Sequence, residues 1–118
     1  MRIYEGSPRQ DYEEVLRSIG AFIDQRGMRV ETGAHVTRLL FEGKRVVGVA
    51  YTQNGEAHEA RAEREVILSG GTYNSPQVLM LSGMGAADHL REHGIPVLVD
   101  LPGVGQNLQD HLSFSVEY

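Results

Sequence analysis

Apolar residues recur at three- and four-residue steps near the start of the chain, at Tyr12, Val15, Leu16, Ile19, Phe22 and Ile23. That spacing places them on one face of a helix over residues 11–25. Ser7 with Pro8 and Gln10, or Asp11 with Glu14, supplies capping chemistry at its start, and Gly27 supplies a stop. Met28 to Thr32 then predicts a short strand broken by Gly33. From His35 the period changes. Val36–Phe41 and Arg45–Tyr51 are rich in β-branched and aromatic residues, with Glu42-Gly43-Lys44 as a tight turn between them. Asn54-Gly55 is a second turn signal and leads into a third strand over His58–Arg61. An antiparallel meander is the result.

Glu65–Ser69 predicts a buried strand, followed by a helix from Ser75 to about Ser82. A second helix spans roughly Ala86 to His93 and stops at Gly94; Ile95–Val99 is extended, and Pro102-Gly103-Val104-Gly105 opens a loop. Phe114, Val116 and Tyr118 alternate as in a strand that awaits a partner. The fold class is α+β: an N-terminal helix, a β-meander, and a buried strand leading to two short helices.

The chain has 118 residues, which bounds it to a single domain. Eleven basic residues against sixteen acidic ones give a net charge of −5. Without a basic stripe, nucleic acid and anionic membrane are poor partners. No apolar run reaches the roughly 18 residues of a membrane span, and the N-terminus lacks a signal-peptide core. Zero cysteines rule out disulfides, thiolate metal sites and a cysteine nucleophile, and they fit a cytoplasmic location. Fourteen glycines exceed the usual share of about 7% and mark turns between short elements.

Candidate chemistry is sparse. His89-Leu90-Arg91-Glu92-His93 has the His-x-x-Glu-His spacing of inverted zinc peptidases, in which two histidines on one helix share a metal. Gly94 ends that helix at once, and an exposed polar face accounts for the same residues. Asp110-His111 suits either an oriented imidazole for acid–base work or a surface turn with a capping aspartate. Gly83-Met84-Gly85 and Gly103-Val104-Gly105 do not extend to Gly-x-Gly-x-x-Gly, so turn glycines describe them better than a pyrophosphate loop. Ser69, Ser75 and Ser82 lie outside any Gly-x-Ser-x-Gly elbow, and Ser75 before Pro76 reads as a helix cap. Met80 and Met84 read as packing residues.

One stretch is more informative. Val66-Ile67-Leu68 runs into Gly70-Gly71, crosses a polar turn and opens a helix. Glycines let a backbone approach a ligand closely, and the free amides of a helix start favour an anion. From Gly71 to Gly85 the residues read Gly-Thr-Tyr-Asn-Ser-Pro-Gln-Val-Leu-Met-Leu-Ser-Gly-Met-Gly. This run resembles the second signature of the glucose–methanol–choline family of flavin-dependent alcohol oxidoreductases. That signature has a glycine and a small residue, then Ser-Pro with two aliphatics, then Ser-Gly-aliphatic-Gly. Thr32–Val36 with Phe41–Lys44, Ala62–Ser69, His89–Pro96 and Leu101–His111 are similar to the choline and aliphatic-alcohol dehydrogenase branch. The resemblance covers residues 28–118 and is weak over residues 1–27. Gly70 stands where alanine is more usual, and Tyr73 is bulkier than many occupants of its position.

The resemblance implies a partial FAD-binding α/β domain, with FAD as cofactor and a small-molecule alcohol as the parent enzyme's substrate. It implies that Val36 contacts the adenine end through its backbone, and that Ser69, Gly70 and Gly71 lie beside the nucleotide half. Asn107, Asp110 and His111, in the Asn-Leu-x-Asp-His loop, would help enclose the flavin. The family's Gly-x-Gly-x-x-Gly fingerprint and the segment bearing its catalytic histidine have no match here, so the resemblance assigns no catalytic residue and no metal. The expectation is therefore an internal piece of such an enzyme, inactive alone. The alternative is a free-standing binding module derived from the flavin domain, its surface capped by the helix at residues 11–25.

Overall fold

The computed structural model describes Gly20, which is helical, and residues 29–112. The rest of the helix expected over 11–25, and the strand expected over 113–118, lie outside the described residues. Contacts divide the chain into two units, Met1–Thr32 and Gly33–Tyr118. In the first, the Arg29 guanidinium donates to Glu31. The expected strand over Met28–Thr32 is not found in its described part. Residues 29–31 join no ladder, and a turn occupies 32–33.

The second unit is built on a meander of β1 (His35–Glu42), β2 (Arg45–Gln53) and β3 (Glu56–Arg61), in the order β1-β2-β3, antiparallel throughout. Its turns follow from residue type. Asn54 and Gly55 both take positive φ, at 53° and 83°, as a two-residue type I′ hairpin requires. Because that turn closes directly onto the Gln53–Glu56 pair, β3 begins two residues before the expected His58. Thr37 in β1 and Val47 in β2 are unpaired bulges. The Thr37 hydroxyl donates to the Ala50 carbonyl at 3.1 Å. Bulges break strict alternation, and the adjacent Leu39 and Leu40 are both buried, together with Val47. Gly48 fills a place no side chain fits, since a Cβ there would stand 2.2 Å from the Ala60 carbonyl oxygen of β3.

Helix α1 (Gly71–Leu81) begins four residues before the expected Ser75, and Pro76 lies inside it. Ser75 therefore does not cap from outside. Its Oγ reaches back from within the helix and accepts the Gly70 N–H at 3.0 Å. At the other end Ser82 is the C-cap, and Gly83 turns the chain into β4 (Met84–Gly85). Helix α2 (Ala87–Glu92) then crosses over to β5 (Val99–Asp100), which pairs with β4 in parallel. Leu90 of α2 is fully buried. The α2 helix ends in a Schellman arrangement, with Gly94 N–H donating to Arg91 O at 3.0 Å and Ile95 N–H to Leu90 O at 2.9 Å.

The buried strand expected over Glu65–Ser69 is neither paired nor buried as a whole: Val66 and Leu68 are half-buried, and Ile67 is 76% exposed. A strand exists only where a neighbour takes its N–H and C=O groups. Among the described residues this segment has no such neighbour. The overall class remains mixed helix and strand, and among the described residues no helix is long and apolar enough to cross a membrane.

Candidate functional site

Helix α1 separates two clefts. The first, about 640 Å³, has Ala34, His35, Val36 and Val49 on one wall and Asn74, Ser75, Gln77, Val78 and Leu81 on the other. Its floor is the segment 66–70. The second, about 490 Å³, lies between Thr72, Tyr73, Pro76 and Met80 of α1 and the loop 103–109. Positions 72, 76 and 80 fall on the face of a 3.6-residue helix opposite to 74, 78 and 81. One short helix thus forms a wall of both clefts.

Of the residues singled out from the sequence, Val36, Ser69 and Gly70 line the first cleft. Gly71 lines neither, but with φ of +86° it starts α1 where the floor of the first cleft ends. Asn107, itself at φ +58°, lines the second cleft. Asp110 and His111 line neither cleft and are exposed, with the Asp110 carboxylate accepting the His111 N–H at 2.8 Å. The structure thus groups three of the seven in one cleft, sets Asn107 across α1, and leaves the Asp-His pair outside both.

Charge in these clefts comes from the backbone. Neither is lined by Asp, Glu, Lys or Arg. The N-terminus of α1 has no side-chain cap and no acidic residue in its first turn. The first N–H groups of a helix lack intrahelical partners and carry the positive end of its dipole. Apolar walls from Val36, Val49, Val66, Leu68 and Val78 suit a flat ring system, while the start of α1 offers donors to an anion. The loop of the second cleft packs closely on the helix: a Cβ on Gly105 would lie 3.6 Å from Met80 Cε.

These residues match the family model described as GMC oxidoreductase, over residues 14–113. The chain belongs to the GMC oxidoreductase family. Human mitochondrial choline dehydrogenase is 56% identical over 117 residues, which covers 99% of this chain and 19% of that protein. An oxygen-dependent choline dehydrogenase from Chromohalobacter salexigens is 53% identical, covering 77% of this chain and 16% of its own length. Among solved structures, an FAD-dependent oxidoreductase from Chaetomium thermophilum superposes with a TM-score of 0.73 at 37% identity. That match covers 77% of this chain and 16% of the other. This GMC segment therefore spans less than a fifth of the length of these relatives.

Three features escaped the sequence reading. Ser75, taken for a cap, lines the first cleft. Thr72, at the small-residue position of the signature, and the bulky Tyr73 beside it line the second. Ser82, a fixed position of the signature, joins α1 to the sheet: its Oγ accepts the Leu39 N–H at 2.8 Å and donates to the Val78 carbonyl at 2.5 Å. The signal for Ser82 was present, because a small polar residue held constant at a helix end has a hydrogen-bonding reason. The zinc pattern gains no ligand set. His89 and His93 meet edge to face at 4.7 Å, and among the described residues no group of three ligands surrounds them.

Proposed function

We propose that this GMC segment forms part of the flavin domain of an oxidoreductase that oxidises a primary alcohol, choline-like or aliphatic. The carrying observation is the uncapped start of α1 between two clefts without charged side chains, within a chain of this family. FAD fits the residues present. Apolar walls suit its rings, no carboxylate opposes its diphosphate, and the start of α1 offers N–H donors. In this reading the flavin is the hydride acceptor and the protein binds and orients.

Val36 holds the adenine end through its backbone, on the wall facing α1. Ser69, Gly70 and Gly71 border the nucleotide half, where the missing side chains of the two glycines permit close approach. Asn107 belongs to the loop that borders the flavin across α1, with Asp110 and His111 farther along it. None of these groups is assigned the alcohol proton. The five histidines do not converge on either cleft: only His35 lines one, and His58 is stacked on Tyr51 at 5.3 Å.

The 118-residue chain alone is accordingly expected to turn over no alcohol. The test is the purified chain incubated with FAD, an artificial electron acceptor, and either choline or a series of aliphatic alcohols. Absence of acceptor reduction is the expected result, and measurable turnover overturns the assignment of the proton-taking group elsewhere. The cytoplasmic expectation belongs to the same proposal. The human relative is mitochondrial by name, and fractionation of the source cells decides.

A further inference from the structure

We propose that Ser82 is a positioning residue for the first cleft, its hydroxyl setting the separation of the two walls that would hold the cofactor. This rests on reading that cleft as a cofactor site. One wall is β1, which carries Val36, and the other is α1, which carries Ser75 and Val78. Both meet at one oxygen. Ser82 Oγ accepts from Leu39 N on β1 and donates to the Val78 carbonyl on α1. Among the described residues this is the hydrogen-bonded link between helix and strand.

The chemistry explains why a hydroxyl is needed. Among the described residues β1 is an edge strand, and no strand lies beyond it to bond the Leu39 N–H. Leu39 is 6% exposed, so water is a poor substitute. A hydroxyl both accepts and donates, and Ser82 uses both capacities at once. Alanine leaves the Leu39 N–H without a partner and frees the C-terminal end of α1 from β1. The buried core at Leu90 lies on a different element and does not depend on this bond.

The experiment compares the full chain with Ser82→Ala and Ser82→Thr by residue-resolved amide exchange and by FAD titration followed through flavin fluorescence. Loss of the link is expected to speed exchange at Leu39 and in the last turn of α1 by about ten-fold. Exchange at Leu90 should be unchanged, and threonine, which keeps the hydroxyl, should restore the slow rates. The alanine variant should also bind FAD about ten-fold more weakly, because a site held open loses preorganisation. Uniformly faster exchange that includes Leu90, or no rescue by threonine, assigns Ser82 a general structural role and overturns the proposal. Equal FAD affinity in the alanine variant and the parent chain overturns it too, while leaving the cofactor reading intact. If the parent chain takes up no FAD, amide exchange at Leu39 and in the last turn of α1 decides whether Ser82 sets the walls.

Discussion

Gly83→Ala and Gly94→Ala form a controlled pair. Each glycine is the first residue beyond a helix C-cap, after α1 and α2 respectively, with φ of +83° and +67°. Each N–H closes onto its own helix, Gly83 to Met80 O at 2.9 Å and Gly94 to Arg91 O at 3.0 Å. The left-handed conformation costs an L-residue about 1–2 kcal/mol, partly offset by a less flexible unfolded chain. Both variants carry that balance. Their surroundings differ. A Cβ on Gly94 meets nothing within 4 Å, whereas one on Gly83 stands 2.5 Å from the Pro96 carbonyl oxygen and 3.1 Å from Leu98 N.

The backbone at Gly83 cannot slide away cheaply. Its carbonyl accepts Leu98 N–H at 2.8 Å and Val99 N–H at 3.1 Å, the bonds that bring the returning chain to β4. Relief of the clash lengthens at least one of them, at about 1 kcal/mol each. Gly83→Ala should therefore destabilise by about 1–2 kcal/mol more than Gly94→Ala. Urea unfolding by far-UV circular dichroism measures the pair, and amide exchange at Leu98, Val99 and Leu101 locates the damage. Equal losses in the two variants would refute the close-approach argument and leave the backbone angle as the whole explanation.

Gly48→Ala drives a Cβ to 2.2 Å from the Ala60 carbonyl, and should cost about 1–3 kcal/mol with faster exchange along β3. Leu90→Ala empties the fully buried site in α2, and should lower stability by about 2–5 kcal/mol in the same urea experiment. Arg61→Ala removes two exposed ion pairs, to Glu42 at 3.1 Å and Glu59 at 3.5 Å. It should cost less than about 1 kcal/mol, and raising the salt concentration should shrink the difference further.

The meander was legible because its turns are chemical. Asn54-Gly55 admits few backbone conformations, so both the turn and the strands it joins follow from two residues. The segment 65–69 was not legible for the opposite reason. Val66-Ile67-Leu68 has the composition of a buried strand, but pairing and burial depend on a neighbour, and Ile67 is left exposed. The start of α1 was misplaced because no side chain caps it. Ser75-Pro76 was the terminal signal read for this helix, and it sits inside it. A two-residue parallel pair such as β4 and β5 lies below the reach of any periodicity. In the candidate site, family resemblance named Val36, Ser69 and Gly70 one by one, and that they line one cleft is seen only in the folded chain. The separation of Asn107 from Asp110 and His111 depends on how positive φ at Gly105 and Asn107 steers the loop onto Met80.

The constrained residues of the Gly71–Gly85 signature are accounted for largely by backbone geometry. Gly71 begins a helix at φ +86°, where a side chain is strained. Ser75 closes the turn before it by accepting the Gly70 N–H, and Ser82 bonds both β1 and α1. Gly83 leaves the helix at positive φ against Pro96. Gly85 admits Met80, whose Cγ would be 3.0 Å from a Cβ there. Each requirement fixes one end of α1 or its attachment to a neighbour. Thr72 and Tyr73 face the second cleft together with Pro76 of the signature, and Ser75 lines the first. Holding the helix and lining a cleft are thus combined within one signature, most plainly at Ser75, which does both. Substitution at Gly71, Gly83 or Gly85, which line neither of these two clefts, should accordingly disturb stability, whereas substitution at Thr72 or Tyr73 should alter binding first.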